Sequence, residues 1–138
     1  MTGPSGFLHD SRGATAVEFA LVLPLLIAMI VLVIEGNRLL WTKQAIQEAA
    51  SQTARCMAIG SDGCDTLDGA KLYGQRRAAR MGIHVETEAI SVSTGQTCHD
   101  VADMNKAVID TPFNSPFASL IPLIPRRLDA EACFPDLK

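Results

Sequence analysis

The chain has 138 residues, 48% of them apolar, and a net charge of −3. That charge leaves nucleic-acid binding with little support, and a domain this small needs all the core it can find. The sequence contains no internal repeat and no low-complexity tract.

The first organised feature is an apolar run. From Phe19 to Ile34 no residue is charged. Sixteen helical residues reach roughly 24 Å, short of the roughly 30 Å hydrocarbon core of a bilayer. Extending back to Gly13 gives about 33 Å and places Glu18 a turn or so inside the start of a spanning helix. A carboxylate there is costly and calls for a partner or a task, unless it sits solvated at the headgroup level. The run ends in Val33-Ile34-Glu35-Gly36-Asn37-Arg38 with no A-x-A pattern, unlike a secretory signal peptide, and it is long for a buried core helix. Pro24 lies within it, where a membrane helix tolerates proline and commonly kinks. The few flanking charges do not decide orientation.

Helical spacing continues beyond the run. Leu39, Ile46, Ala50, Thr53 and Met57 share one face, and Gly60 is a stop signal. One helix is expected from about residue 12 to 59. Trp41 either marks the membrane interface or packs on the small domain. A second helix is expected from Thr66 to Met81, with Asp65 as N-cap and Gly82 as terminator; Leu67, Ala70, Ala78 and Met81 lie on one side, and Gly69 and Gly74 weaken it.

From Ile83 the pattern becomes that of strands. Ile83, Val85 and Thr87 alternate with polar residues, and Ile90 and Val92 continue in the opposite phase, which suggests a bulge or two short pieces. Further strands are expected from Lys106 to Phe113 and over Leu128, Ala130, Ala132 and Phe134. Between them, Phe113–Pro125 is too rich in proline for a central strand and too apolar for a solvated linker. It is expected to cover the long helix in preference to dipping to the membrane surface or a partner. The expected fold class is α+β: a long N-terminal transmembrane helix continuing outside the membrane, a second helix and a small antiparallel sheet.

The four cysteines all follow the apolar run. An even number in a small domain suggests disulfides and an oxidising compartment, against a reading as buried free thiols. No C-x-x-C motif is present, so a structural zinc site is not expected. Of three connectivities, the preferred one pairs Cys56 with Cys64, closing a short loop at a helix end, and Cys98 with Cys133, tying later segments together. Catalytic signals are weak. Cys98-His99-Asp100 and His84 lack any sign of a positioned partner, no phosphate loop or metal cluster is present, and Lys71, Arg76, Arg77 and Arg80 read as a solvated basic face. No enzyme activity, metal or cofactor is expected.

The stretch Arg12-Gly-Ala-Thr-Ala-Val-Glu-Phe-Ala-Leu-Val-Leu-Pro-Leu-Leu25 resembles the N-terminus of type IV pilin-like precursors, in which a polar leader ends in Gly and Glu stands fifth in the mature chain. It is similar, more narrowly, to the TadE/TadG-like pseudopilin family of tight-adherence (Flp pilus) assembly systems. The major Flp pilins are much shorter and usually carry Glu-Tyr where this chain has Glu18-Phe19, so the resemblance implies a minor component. It also implies a domain plan: leader 1–13, transmembrane segment 14–34, helical extension 35–60 and a small extracytoplasmic domain 61–138. A prepilin peptidase would cut between Gly13 and Ala14, and Glu18 and Phe19 would serve subunit assembly. The implied partners are that peptidase, other pilins and pseudopilins, pilus assembly platform proteins and membrane lipid, with no nucleic acid. The implied location is the bacterial inner membrane, single-pass, with the C-terminal domain in the periplasm or outside, or incorporation in a pilus. The alternative is a permanently membrane-anchored extracytoplasmic binding or adhesion domain.

Overall fold

The structure is a computed structural model that describes residues 11–61 and 63–137. The elements in chain order are helix α1 (Ser11–Ile59), helix α2 (Leu67–Arg80), a single 3₁₀ turn (Thr87–Ala89) and strands β1 (Ile90–Cys98), β2 (Val101–Pro112) and β3 (Arg127–Pro135). The strands form one antiparallel sheet in the order β1-β2-β3. The architecture is the expected α+β one. The described residues fall into two units, one ending at Asn37 and one beginning at Arg38.

In the second unit the α1 face read from the sequence is the core face. Ile46, Ala50 and Thr53 are fully buried, Met57 nearly so, and Leu39 packs against the cluster. Alternate residues of β2 (Ala107, Ile109, Thr111) and of β3 (Leu128, Ala130) turn inward opposite one another, the period-two pattern of a half-buried sheet. Two side chains one turn apart on α1 also cover the free edge of β3: Lys43 Nζ donates to the Asp129 carbonyl, and Gln47 Nε2 donates to that of Glu131 at 2.8 Å. An edge strand otherwise presents unpaired backbone groups that invite association.

Helix α1 stops where Gly60 donates its N–H to the Cys56 carbonyl at 2.9 Å. Helix α2 begins one residue later than expected, because the cap is Thr66 and not Asp65: the Thr66 hydroxyl accepts from Gly69 N at 3.1 Å. At its other end Ile83 N donates to Ala78 O and Gly82 N to Ala79 O, both at 3.0 Å, with Gly82 at φ +80°. This is the Schellman arrangement, which requires a left-handed residue at Gly82. Ala70 and Ala78 are buried as expected, whereas Leu67 is half exposed.

The segment from Ile83 is not a strand. Val85 is buried, but its carbonyl accepts from Gln75 Nε2 of α2 at 3.0 Å instead of from a neighbouring strand. The phase change between Val85 and Ile90 is the 3₁₀ turn, not a bulge. The first hairpin is longer than expected on both sides of its turn, β1 reaching Cys98 and β2 beginning at Val101. Two bulges do occur in it. One extra residue on β1 lies at Thr94-Gly95, with Gly95 at φ +66°, and one on β2 lies near Asp103, at φ +62°. They sit on opposite strands and cancel, so the pairing Cys98↔Val101 continues the register set by Ile90↔Ile109. Bulges bend the strand and increase its local twist.

Both disulfides are present. Cys56–Cys64 closes an eight-residue separation beyond α1, and Cys98–Cys133 joins β1 to β3, which are not neighbours in the sheet. Loop-closure entropy alone gives roughly 2.5 kcal/mol for the short bridge and roughly 4 kcal/mol for the longer one. Peptide mapping of the non-reduced protein should return these two linkages, and reduction should lower unfolding stability by a few kcal/mol. Four thiols open to alkylation before reduction would contradict both bonds.

The glycines of α2 serve packing. A Cβ on Gly74 would stand 2.8 Å from Thr53 Oγ1 and 3.5 Å from Ile90 Cδ1. The Thr53 hydroxyl cannot retreat easily, since it is buried and donates to Ala49 O at 2.7 Å. Helix propensity favours Ala over Gly by about 1 kcal/mol, while overpacking costs about 1–3 kcal/mol. Gly74→Ala should therefore destabilise by about 1 kcal/mol in denaturant titration, and Thr53→Ala should lessen that penalty when combined with it. A stabilised single variant would refute the close approach.

Candidate functional site

The N-terminal part of α1 is the site the sequence singles out. Helix α1 is already formed at Ser11, so the Gly13–Ala14 bond lies in its first turn. The leader assigned to residues 1–13 lies outside the described residues as far as residue 10, as do the side chains of Ser11, Arg12 and Ala14. Gly13 is exposed, and a Cβ there would meet nothing within 4 Å. Among the described residues no steric demand explains the glycine.

Glu18 stands four residues after Ala14, one turn along the helix and about 6 Å in rise. It is exposed and has no hydrogen-bond or ion-pair partner among the described residues. Residues 14 and 18, four apart, lie on the same helical face. Phe19 is 64% exposed.

Beyond Glu18, all large apolar side chains from Phe19 to Ile34 except Val31 are exposed. Each such Leu, Ile, Val or Phe forgoes about 1.5–3 kcal/mol that burial would supply. The run continues through Pro24, which has no N–H to offer the Ala20 carbonyl. Helix α1 is long and apolar enough to cross a membrane, and none of its most apolar window is buried by protein. A lipid phase meets that demand; water does not.

The other constellations resolve into structural roles. His99 and Asp100 are the two central residues of the β1–β2 hairpin, both with positive φ (50° and 66°) between the paired Cys98 and Val101. That is a two-residue turn of the primed type, and it accounts for the Cys98-His99-Asp100 triplet without catalysis. His and Asp are among the residues enriched in this left-handed region. The grouping of Cys98, Cys133 and Glu131 has ligand-like spacing, but both sulfurs are bonded to each other and Glu131 pairs with Lys106 at 2.7 Å. On α2, Arg76, Arg77 and Arg80 border a surface recess of about 490 Å³ with Tyr73, whose ring lies 5.7 Å from the Arg77 guanidinium.

Trp41 is 58% exposed and hydrogen-bonds through Nε1 to the Met81 carbonyl at 3.2 Å, so it does pack on the small domain. It also edges a groove of about 510 Å³ along α1, with Gln44, Glu48 and Met81. The groove is not legible in the sequence, because it needs Met81, just beyond α2, brought against α1, a contact no local pattern encodes.

Residues 13–55 match the family model described as "TadE-like protein". The match opens on Gly13 and ends one residue before Cys56, so it takes in the glycine, Glu18, the apolar run and most of the core face of α1, and leaves α2 and the sheet outside. No curated protein and no solved structure matches the chain. Over its N-terminal region, residues 13–55, the chain is similar to the TadE-like family.

Proposed function

We propose that the chain is a minor pseudopilin of a tight-adherence (Flp) pilus assembly system, acting by subunit assembly in the inner membrane or at the base or tip of a pilus. The observation that carries this reading is the extent of the family match, which begins at the glycine expected to end a leader and includes Glu18 and the uncovered apolar run. A prepilin peptidase would hydrolyse the Gly13–Ala14 amide, leaving a carboxylate on Gly13 and a free amine on Ala14. An α-amino group has a pKa of about 7.7–8.0, so the new terminus is mostly cationic at neutral pH. It can then pair with Glu18 of its own or a neighbouring subunit. A pair formed within the membrane offsets the cost of placing a carboxylate there and fixes the axial stagger between subunits. Glu18 near the new helix start is also favoured by the helix dipole.

The two disulfides support an oxidising compartment for the second unit, hence single-pass topology with the C-terminal domain in the periplasm or outside. Other pilins and pseudopilins, the assembly platform and membrane lipid are the partners this role requires.

Replacing Glu18 tests the role. Glu18→Gln keeps shape and polarity but removes the charge, and relieves an insertion penalty of up to about 2.5–3.5 kcal/mol. Membrane levels should hold or rise, while co-purification with pilus components and pilus-dependent attachment fall. Full attachment by the variant, with the leader removed normally, would rule out the assembly role given to Glu18. It would favour a permanently anchored binding or adhesion domain.

A further inference from the structure

The connection between β2 and β3 carries apolar surface that the fold leaves uncovered. Leu123 and Leu120 are 89% and 76% exposed, the highest values for large apolar side chains among the described residues. The loop holding them is built, not slack. Phe113 at its start is buried in the core and donates its N–H to the Arg126 carbonyl at 2.8 Å, closing the neck. Inside the loop, Leu120 N and Ile121 N both bond to Phe117 O, at 3.0 and 2.9 Å, and Ile124 N bonds to Ile121 O at 3.1 Å. Ile124 packs against the core cluster. The loop therefore reaches back into the core at both ends and presents its two leucines outward.

The backbone chemistry suits a dry environment. Pro116, Pro122 and Pro125 have no N–H, and the N–H groups of Leu120, Ile121 and Ile124 are bonded within the loop. Few donors would lose water if the tip left it, and the carbonyls left unpaired suit the hydrated interfacial layer and not the hydrocarbon core. From Phe113 to Pro125 no residue is charged, and the first charge after it is the exposed Arg126. An apolar tip with a cation at its base matches the interfacial layer of a bilayer, with anionic headgroups above the acyl chains.

The bilayer is also within reach. The loop's base is tied to the turn of α1 containing Arg38, whose Nη2 lies 3.4 Å from the Asn114 carbonyl it donates to and whose guanidinium is 5.8 Å from the centre of the Phe113 ring. Arg38 follows the end of the apolar run at Ile34 by four residues, about 6 Å along a helix. Six residues of turn separate Asn114 from Leu120, a reach on the order of 10 Å at the rise of helical turns. We infer that the loop is a second, peripheral membrane contact, in which Leu120 and Leu123 insert into the interfacial layer of the bilayer that α1 crosses. The inference rests on the apolar run being a membrane span. Burial of the two leucines would hold the second unit at the membrane before any subunit is extracted.

Depth-dependent quenching of a single tryptophan tests this, since Trp41 is the only one in the chain. The full chain carrying Trp41→Phe is reconstituted in phosphatidylcholine–phosphatidylglycerol vesicles with brominated acyl chains. Three variants are compared: Leu123→Trp in the loop, Leu25→Trp in the span, and Ser91→Trp at an exposed position of β1. The Leu123→Trp emission should be blue-shifted and quenched by shallow bromines roughly half as strongly as Leu25→Trp is by deep ones, as for side chains about 5–10 Å into the interface. Ser91→Trp should stay red-shifted and unquenched. If Leu25→Trp is quenched while Leu123→Trp behaves like Ser91→Trp, the loop faces water and the inference fails with the span intact. An emission that is blue-shifted but unquenched, and depends on protein density, assigns the leucines to a second copy and also overturns it. Absence of quenching at Leu25→Trp removes the span and the inference with it.

Discussion

A single helix has to satisfy two different solvents, and the rest of the molecule follows from how it does so. As far as Ile34, α1 presents large aliphatic side chains all round, with no protein over them. From Arg38 it becomes a one-faced helix whose buried side is mostly small: Ala45, Ala49, Ala50, Thr53 and Ala54, with Ile46 and Met57 as the large exceptions. Bulk all round suits lipid, where every direction is equally apolar. Small residues on one face let the sheet and α2 approach closely, and the low-volume contact of Gly74 on Thr53 shows how close that approach is. A domain of this size gains little from a core of its own, so borrowing one side of a long helix supplies much of what it needs. The bridges Cys56–Cys64 and Cys98–Cys133 add constraint where the helix and sheet leave off.

Glu18 is the place where this economy is deliberately broken. It is an ionisable group at the start of a run with no other charge until Glu35, and no described residue of the chain answers it. The ion pairs Lys106–Glu131 and Arg127–Asp110 are met within the fold, whereas the role proposed for Glu18 takes its partner from chemistry after synthesis or from a second molecule. In that proposal, an amino terminus cut at Ala14, one turn away, would supply both the charge and the reach.

Much of this was legible in the sequence, for identifiable reasons. The α1 core face, the helix stop at Gly60 and the alternation in β2 and β3 are direct products of period and capping chemistry, which act locally. The motif around Gly13 and Glu18 was legible as a resemblance, and the family match extends it well into the second unit. What was misread depended on tertiary context. Ile83 and Val85 do alternate toward the core, but no strand lies beside them, and Gln75 takes the carbonyl that a ladder would have used. Asp65 and Thr66 are both good caps, and only the backbone geometry before Leu67 selects Thr66. The hairpin at His99-Asp100 was hidden because these two residues adopt a conformation usually signalled by Asn-Gly. Gly95 was an available sign of the bulge, since an isolated glycine in a strand pattern often marks one.

The proposed assembly role depends on what becomes of the Gly13–Ala14 bond. Sequencing the amino terminus of the protein isolated from membranes of its own cells, with the prepilin peptidase present, tests that directly. A mature terminus at Ala14 is the predicted result, and it creates the amine that Glu18 is proposed to meet. A terminus at Met1 or Thr2 in fully assembled, functional material would contradict the account and leave α1 as a plain anchor.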